Sequence, residues 1–303
     1  MSSITTGLTN LMSTFYDKVF LDRAELALTY DVGAQVKSLP KNSGKVVYFN
    51  RFSPLAVVTS ALSEAAVPSA VDMTSTIVSA TVAEYGSYAK VGSLFNMTSI
   101  DEGLKEHAAV MGQNAGETLD TLLAAALSAS NTAQLAGAKA NITAVAATDV
   151  LSGAEIRKAI RTLKKAKAKT FSNGMFKGII AASAAYDLRG NSEWLDASRY
   201  VDATNIRNGQ LGKLYGVEFY ETNNEVSESS TVTVYHNFIV GANAYGMVKL
   251  DGQTGQRIYV KTPGTQDTSN PLDTWSTVGW KASFAAVVLN SAWIVDIKCG
   301  VTA

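Results

Sequence analysis

The stretch from Ser99 to Ser128 constrains this chain more than any other. Ser99 and Glu102 stand at the spacing of a capping box, and Leu104, Ala108, Met111, Ala115, Leu119, Leu122 and Ala126 follow in steps of three and four. A helix from Ile100 to Ser128 is roughly 40 Å long at 1.5 Å per residue. Gly103, Gly112 and Gly116 inside it each cost up to about 1 kcal/mol relative to Ala. Something must therefore pack closely there, and a long helix lying against a sheet is the simplest account.

The segments before it read as an arm and a flap. Residues 1–36 form a polar arm with one short amphipathic helix, in which Leu11, Phe15 and Val19 recur at helical spacing between charged neighbours. Such a stripe needs a partner, either the arm's own body or a neighbouring subunit. The turn-rich run from Leu39 to Lys45 leads into a strand from Val46 to Phe52. A second strand starts at Thr76, where Val78, Ala80 and Val82 alternate with Ser79 and Thr81, and Glu84 to Tyr88 continues it. Between them, Ser53 to Ser75 has no clear period and is bounded by Pro54 and Pro68. Two strands joined in this way are an elongated hairpin, and loops of that length are usually functional.

After the helix, residues 129–151 are small and Ala-rich, a crossing between two domains. A basic amphipathic helix follows from Ser152 to about Lys169. Ile156, Ala159, Ile160 and Leu163 form its inner face, and Arg157, Lys158, Arg161, Lys164, Lys165, Lys167 and Lys169 crowd the outside. Strand patterns at 177–182, 216–222, 231–236, 258–261, 276–288 and 292–301, with a turn or helix start at 185–190, make the class α+β with a mixed sheet flanked by helices. A chain of 303 residues fits about two domains.

Composition narrows the chemistry. The 26 Lys+Arg balance the 26 Asp+Glu, and charged residues make up only 17%, against about 25% in an average soluble protein. A neutral, thinly charged chain favours self-association. It also lacks the cationic surplus of a nucleic-acid packaging protein. One cysteine, Cys299, permits no internal disulfide, so packing must hold the fold. The first twenty residues do not read as a secretory signal. The apolar stretch from Phe284 to Val295 is interrupted by Asn290 and Ser291 and is too short for a span. The expected setting is soluble and reducing.

Catalytic motifs are missing. There is no Gly-x-Ser-x-Gly, P-loop, His-Glu-x-x-His or Cys-x-x-Cys, and Gly209-Gln-Leu-Gly212 lacks the opening of a dinucleotide fingerprint. His107 reads as a helix-surface residue, His236 as a polar residue ending a strand, and Cys299 as a small packing residue. No catalytic, cofactor-binding or metal-ligating residue is nominated. The basic helix is the one charge cluster that invites a function. Its face either contacts phosphates or is solvated or met by acids of a neighbour.

Five segments in order resemble a known family, the major capsid proteins of tailed bacteriophages of the podovirus-like branch. They are Leu39-Pro-Lys-Asn-Ser-Gly-Lys-Val-Val-Tyr-Phe49; Ser53-Pro-Leu55 with Leu62-Ser-Glu64 and Pro68; Val82-Ala-Glu-Tyr-Gly-Ser-Tyr88; Ala185-Tyr-Asp-Leu-Arg189 with Trp194; and Asn208-Gly-Gln-Leu-Gly212 running into Gly216-Val-Glu-Phe-Tyr-Glu-Thr222. The chain departs from that pattern at Ala65, at Ser183-Ala184 and at Gln210.

The resemblance implies the Hong Kong 97-type fold. Residues 1–36 would be the N-terminal arm and 37–92 the extended loop. Residues 93–150 and 251–303 would make the peripheral domain with its spine helix, and 151–250 the axial domain. The implied function is structural and non-enzymatic: pentamers and hexamers of an icosahedral head, a virion component assembled in the bacterial cytoplasm, enclosing double-stranded DNA without sequence-specific binding. Scaffolding, portal and cement or decoration proteins are the implied partners, with no membrane and no cofactor. Candidate inter-subunit contacts are Phe15, Val19, Arg51, Pro54, Leu55, Leu62, Glu64 and Pro68. Deleting residues 1–36, or shortening 53–75, is expected to leave a foldable body that forms no shells. The alternatives are an encapsulin-like nanocompartment shell, a tail or decoration protein, and a carboxylate-based hydrolase.

Overall fold

The computed structural model of the chain describes residues 18–21, 23–24, 28–40, 44–53, 55–59, 61, 70–98, 103–129, 132–191, 212–250, 256–261, 271–272 and 274–302. The elements run β1 (Gln35–Leu39), β2 (Val46–Phe52), β3 (Ser75–Thr81), β4 (Ala83–Gly92), α1 (Ser93–Thr98), α2 (Gly103–Ala129), β5 (Thr132–Leu135), α3 (Gly153–Lys165), β6 (Phe176–Ala181) and α4 (Ala182–Arg189). After these come β7 (Lys213–Leu214), β8 (Val217–Thr222), β9 (Ser227–Ser229), β10 (Thr233–Val240), β11 (Tyr245–Leu250), β12 (Gln256–Lys261), β13 (Trp275–Val288) and β14 (Ile294–Cys299).

The long helix forms where its period requires. Its buried line runs through Ala108, Ala115, Leu119, Leu123 and Leu127, so the C-terminal half turns Leu123 and Leu127 inward and leaves Leu122 and Ala126 half-buried. That line lies on β13, against Val278, Trp280, Ala282 and Phe284, and the indole Nε1 of Trp280 donates to Asn114 Oδ1 at 3.0 Å. The same core takes in Ile179 of β6, Phe238 and Val240 of β10 and Ile294 of β14. Each such large side chain contributes about 1.5–3 kcal/mol on burial, so the core around α2 joins both large sheets.

Those sheets are interleaved in sequence. One has the order β1-β11-β13-β12, with β4 also paired to β13. The other has the order β5-β14-β10-β6-β8-β7, with β9 paired to β10. The β-patterned tail is divided between them: β12 and β13 join the first sheet, whereas β14 pairs antiparallel with β10 in the second. The Ala-rich crossing also contributes a strand, β5, parallel to β14. The second sheet carries α3 and α4, whose Ile156, Ile160, Leu163, Ala184 and Leu188 pack with Phe176, Ile180, Val295 and Cys299.

The strand expected to run on from Val82 through Tyr88 is two strands. β3 pairs with β2 over its full length, and at Ala83 the chain leaves for β13, pairing Ala83–Gly92 with Trp275–Phe284. Val82 still donates to the Lys45 carbonyl at 2.9 Å, so the change of partner falls within one residue.

The N-terminal segment is less of a free arm than its polarity suggests. Phe20, Ala24 and Tyr30 are buried, Val19 is half-buried, and Leu11 and Phe15 lie outside the described residues. Asp120 of α2 receives the Thr29 and Tyr30 amides on Oδ1, both at 2.8 Å, and Asn224 Nδ2 on Oδ2 at 3.2 Å. Tyr245 donates its hydroxyl to the Tyr30 carbonyl at 2.5 Å and accepts from the Gly33 amide at 3.2 Å. Deleting 1–36 therefore removes core side chains, and the expectation of an intact body after that deletion is withdrawn.

Gly112 has the tight neighbour that a glycine inside a helix implies, and that neighbour is the N-terminal segment. A Cβ there would stand 2.5 Å from the Phe20 carbonyl oxygen. Gly112→Ala is expected to destabilise by about 1–3 kcal/mol through overpacking, even though Ala favours a helix by up to about 1 kcal/mol. Urea denaturation checks this as a lower midpoint at unchanged m.

Candidate assembly surfaces

The β2–β3 hairpin has two unlike faces because successive side chains alternate across a strand. Val47 and Phe49, with Val78 and Ala80 opposite, turn toward Leu39, Val248 and Ala285 and close a small core with the first sheet. Tyr48, Asn50 and Phe52, with Ile77 and Ser79 across from them, form the other face, and all are exposed. Phe52 and Ile77 each remain 62% accessible. Lys37 holds the base by donating to the Tyr48 carbonyl at 2.7 Å, with its ammonium 5.2 Å from the Phe49 ring centroid.

Exposure then extends to the tip. From Asn50 to Ile77 every described residue is exposed except half-buried Ser53, including Leu55, Val57, Val58, Val71 and Met73. Arg51 and Asp72 are the charged side chains among these. An apolar patch this long and this poor in charge is unusual on a monomer.

Of the candidate contacts, Arg51 and Leu55 lie on this surface and are exposed. Val19 lies half-buried on the body. Phe15, Pro54, Leu62, Glu64 and Pro68 lie outside the described residues. Sequence reasoning passed over Tyr48, Phe52 and Ile77. The signal was available, since an isolated two-stranded ribbon needs only one body-facing side and this one is apolar at both parities.

The basic helix is a second surface. Its inner residues Ile156, Ala159, Ile160 and Leu163 are buried as the pattern requires. On its outer side Arg157, Arg161, Lys164 and Lys165 border a shallow groove of about 450 Å³ floored by Ile160. Lys158 instead pairs with Glu155 at 2.7 Å.

Several titratable groups lie inside the body. His236 lies within β10, buried, not at a strand end, and its Nδ1–H donates to the buried Asp296 at 2.8 Å. Glu228 Oε1 stands 3.3 Å from His236 Nε2 and accepts from Lys298 at 3.0 Å. No serine, threonine or cysteine side chain bonds this histidine among the described residues. Burial pushes the Cys299 thiol up to about 12, which leaves it an unreactive packing group. His107 sits half-buried on α2, edge-on to Phe95 with centroids 6.3 Å apart. Among the described residues no group of three His, Cys, Asp or Glu can hold a metal ion, and no helix is long and apolar enough to cross a membrane.

No protein-family model matches the chain, and no curated protein sequence matches it significantly. Solved structures do. The chain superimposes on the capsid of Ralstonia phage GP4 with a TM-score of 0.71 at 12% identity, covering 91% of this chain and 89% of that one. The capsid of cyanophage P-SCSP1u gives 0.67 at 14% identity, again covering 91% and 89%. The capsid asymmetric unit of cyanophage Pam1 gives 0.66 at 12%, covering 94% and 93%. The chain has the α+β fold of phage capsid proteins over 91% of its length or more in these three comparisons.

Proposed function

We propose that this chain is the major capsid protein of a tailed double-stranded-DNA phage, a structural subunit that assembles into the pentamers and hexamers of an icosahedral head. The observation that carries this is the hairpin of residues 46–81: a long, charge-poor, doubly apolar ribbon on a fold otherwise seen in capsids. Its inner face is satisfied by the body and its outer face is left for a neighbour.

In this reading residues 1–36 form an arm whose second half is anchored to the spine helix α2, and within the expected loop of 37–92 the β2–β3 hairpin is the part that extends, β4 returning to the sheet of β13. The sheet of β1, β4, β11, β12 and β13 together with α2 makes the peripheral domain. The sheet of β5–β10 and β14 with α3 and α4 makes the axial domain, so the last strand joins the axial side. The chain works by assembly and containment, without catalysis, as part of the virion. Scaffolding, portal and cement proteins would act on the same surfaces. Stable contacts of standard size bury about 1,600 Å², and many moderate ones along a shell reinforce each other.

Electron microscopy and sedimentation of the purified protein test the reading. Closed shells or capsomer-sized rings are expected. A stable monomer at high concentration, with scaffolding candidates present, would overturn it, and shells filled with cargo protein and free of nucleic acid would mark a nanocompartment instead.

A further inference from the structure

The outer stripe of α3 carries three cations, Arg161, Lys164 and Lys165, that no described carboxylate answers. Arg161 and Lys165 stand at i,i+4, Lys164 at i,i+3 from Arg161, and Arg157 one turn before. Like charges at these spacings weaken a helix. For Arg161, Lys164 and Lys165 no carboxylate lies within ion-pair reach among the described residues, whereas Lys158 has Glu155. Arg157 leans on Tyr215, donating to its hydroxyl at 3.4 Å with the guanidinium 5.2 Å from the ring centroid.

The described carboxylates of a second copy of this domain are a poor source of the missing anion. Every described carboxylate between residues 132 and 250 already accepts from a donor. Glu218 is held by Asn173 and Lys213, Glu221 by Arg189, Glu225 by Ser183 and Glu228 by Lys298. Asp149 and Asp187 are held by Lys139 and Thr302. An anion from outside the fold has no such competition.

We propose that the stripe Arg157-Arg161-Lys164-Lys165 is a contact surface for the phosphate backbone of double-stranded DNA. The inference rests on the reading of the chain as a head subunit, which supplies the duplex. Cations four residues apart on a helix are about 6 Å apart along its axis, and a duplex offers one phosphate charge per roughly 1.7 Å. Each cation therefore finds a phosphate without any sequence register. The apolar floor at Ile160 and the small number of cations keep the grip weak at physiological salt, in line with a chain of zero net charge.

The test is the salt dependence of binding of a fluorescent 25-base-pair duplex to the full-length protein, followed by anisotropy. Each neutralised phosphate contributes about −0.9 to the slope of log K against log salt. Arg161→Gln, Lys164→Gln and Lys165→Gln together are expected to flatten the slope by about 2.7, with an unchanged thermal midpoint because the inner face of the helix is untouched. Lys164→Arg with Lys165→Arg should keep the parent slope. So should Lys45→Gln, Lys90→Gln and Lys213→Gln, which remove as much charge elsewhere. An unchanged slope in the triple stripe variant, or equal flattening in the distant one, overturns the proposal. Loss of shells at an unchanged DNA slope also overturns it and makes the stripe a subunit contact. Failure to form shells while the stripe-dependent slope persists would sink the head-subunit reading alone.

Discussion

Phe52→Glu combined with Ile77→Glu is expected to abolish closed particles while leaving the subunit folded and as stable as the parent to within about 0.5 kcal/mol. Both side chains are on the outer face of the hairpin, opposite the Val47, Phe49 and Ala80 that hold it to the body. Neither belongs to a buried cluster, so the monomer loses almost nothing. In a shell the same face would be covered, and a carboxylate taken out of water without a partner costs several kcal/mol. That cost recurs at every equivalent contact, and assembly that depends on many moderate contacts fails as a whole. Sedimentation and electron microscopy read the particles, and urea denaturation of the dissociated subunit reads the fold. Particles of parental yield and shape would remove the hairpin's outer face from the interface. Loss of subunit stability would mean that the face packs on its own body.

Legibility of this chain divides by range. Elements whose period is local were readable: the buried face of α3 is the one its spacing predicts, and β6, β8, β12 and β13 begin and end within a few residues of their patterns. Pairing was not. Val78, Ala80, Val82 and Glu84 continue one alternation, yet the chain changes sheets between Thr81 and Ala83. Alternation records a pleat but not the strand beside it. β1 and β11 were unmarked for opposite reasons: β1 is an edge strand exposed from Gln35 to Ser38, with no alternation of burial to betray it, whereas β11, between β1 and β13, is buried at both parities from Tyr245 to Val248. The apolar outer face of the hairpin was legible in principle. Loops that bind partners by proline-bounded, charge-poor stretches draw attention to their tips, and here the strands beneath the tip carry Phe52 and Ile77.

The pin between the N-terminal segment and the spine helix could not be read from sequence, because Asp120 acts on residues about ninety positions away. On a helical wheel it is a polar residue beside an apolar line. In the fold its buried carboxylate takes over the free amides at the start of the turn Tyr30–Gly33, as a capping side chain would. Asp120→Ala is expected to cost about 3 kcal/mol or more, since each buried donor left unpaired costs about 1–3 kcal/mol. Asp120→Asn keeps an acceptor for Thr29 and Tyr30 and should cost far less. The pair also separates hydrogen bonding from charge. Burial raises the Asp120 pKa above its ordinary value, against the lowering effect of the Tyr30, Thr29 and Asn224 hydrogen bonds. Between the unfolded value near 3.9 and the raised folded value, the folded chain holds a proton that the unfolded chain releases. The stability from this group is thus full below the unfolded pKa and is lost as pH rises through the folded one. Urea denaturation at a series of pH values should show that decline in the parent and not in Asp120→Asn. A parallel decline in both proteins would assign the pH dependence to other groups, and an Asp120→Ala variant as stable as the parent would mean that the N-terminal segment is held without this pin.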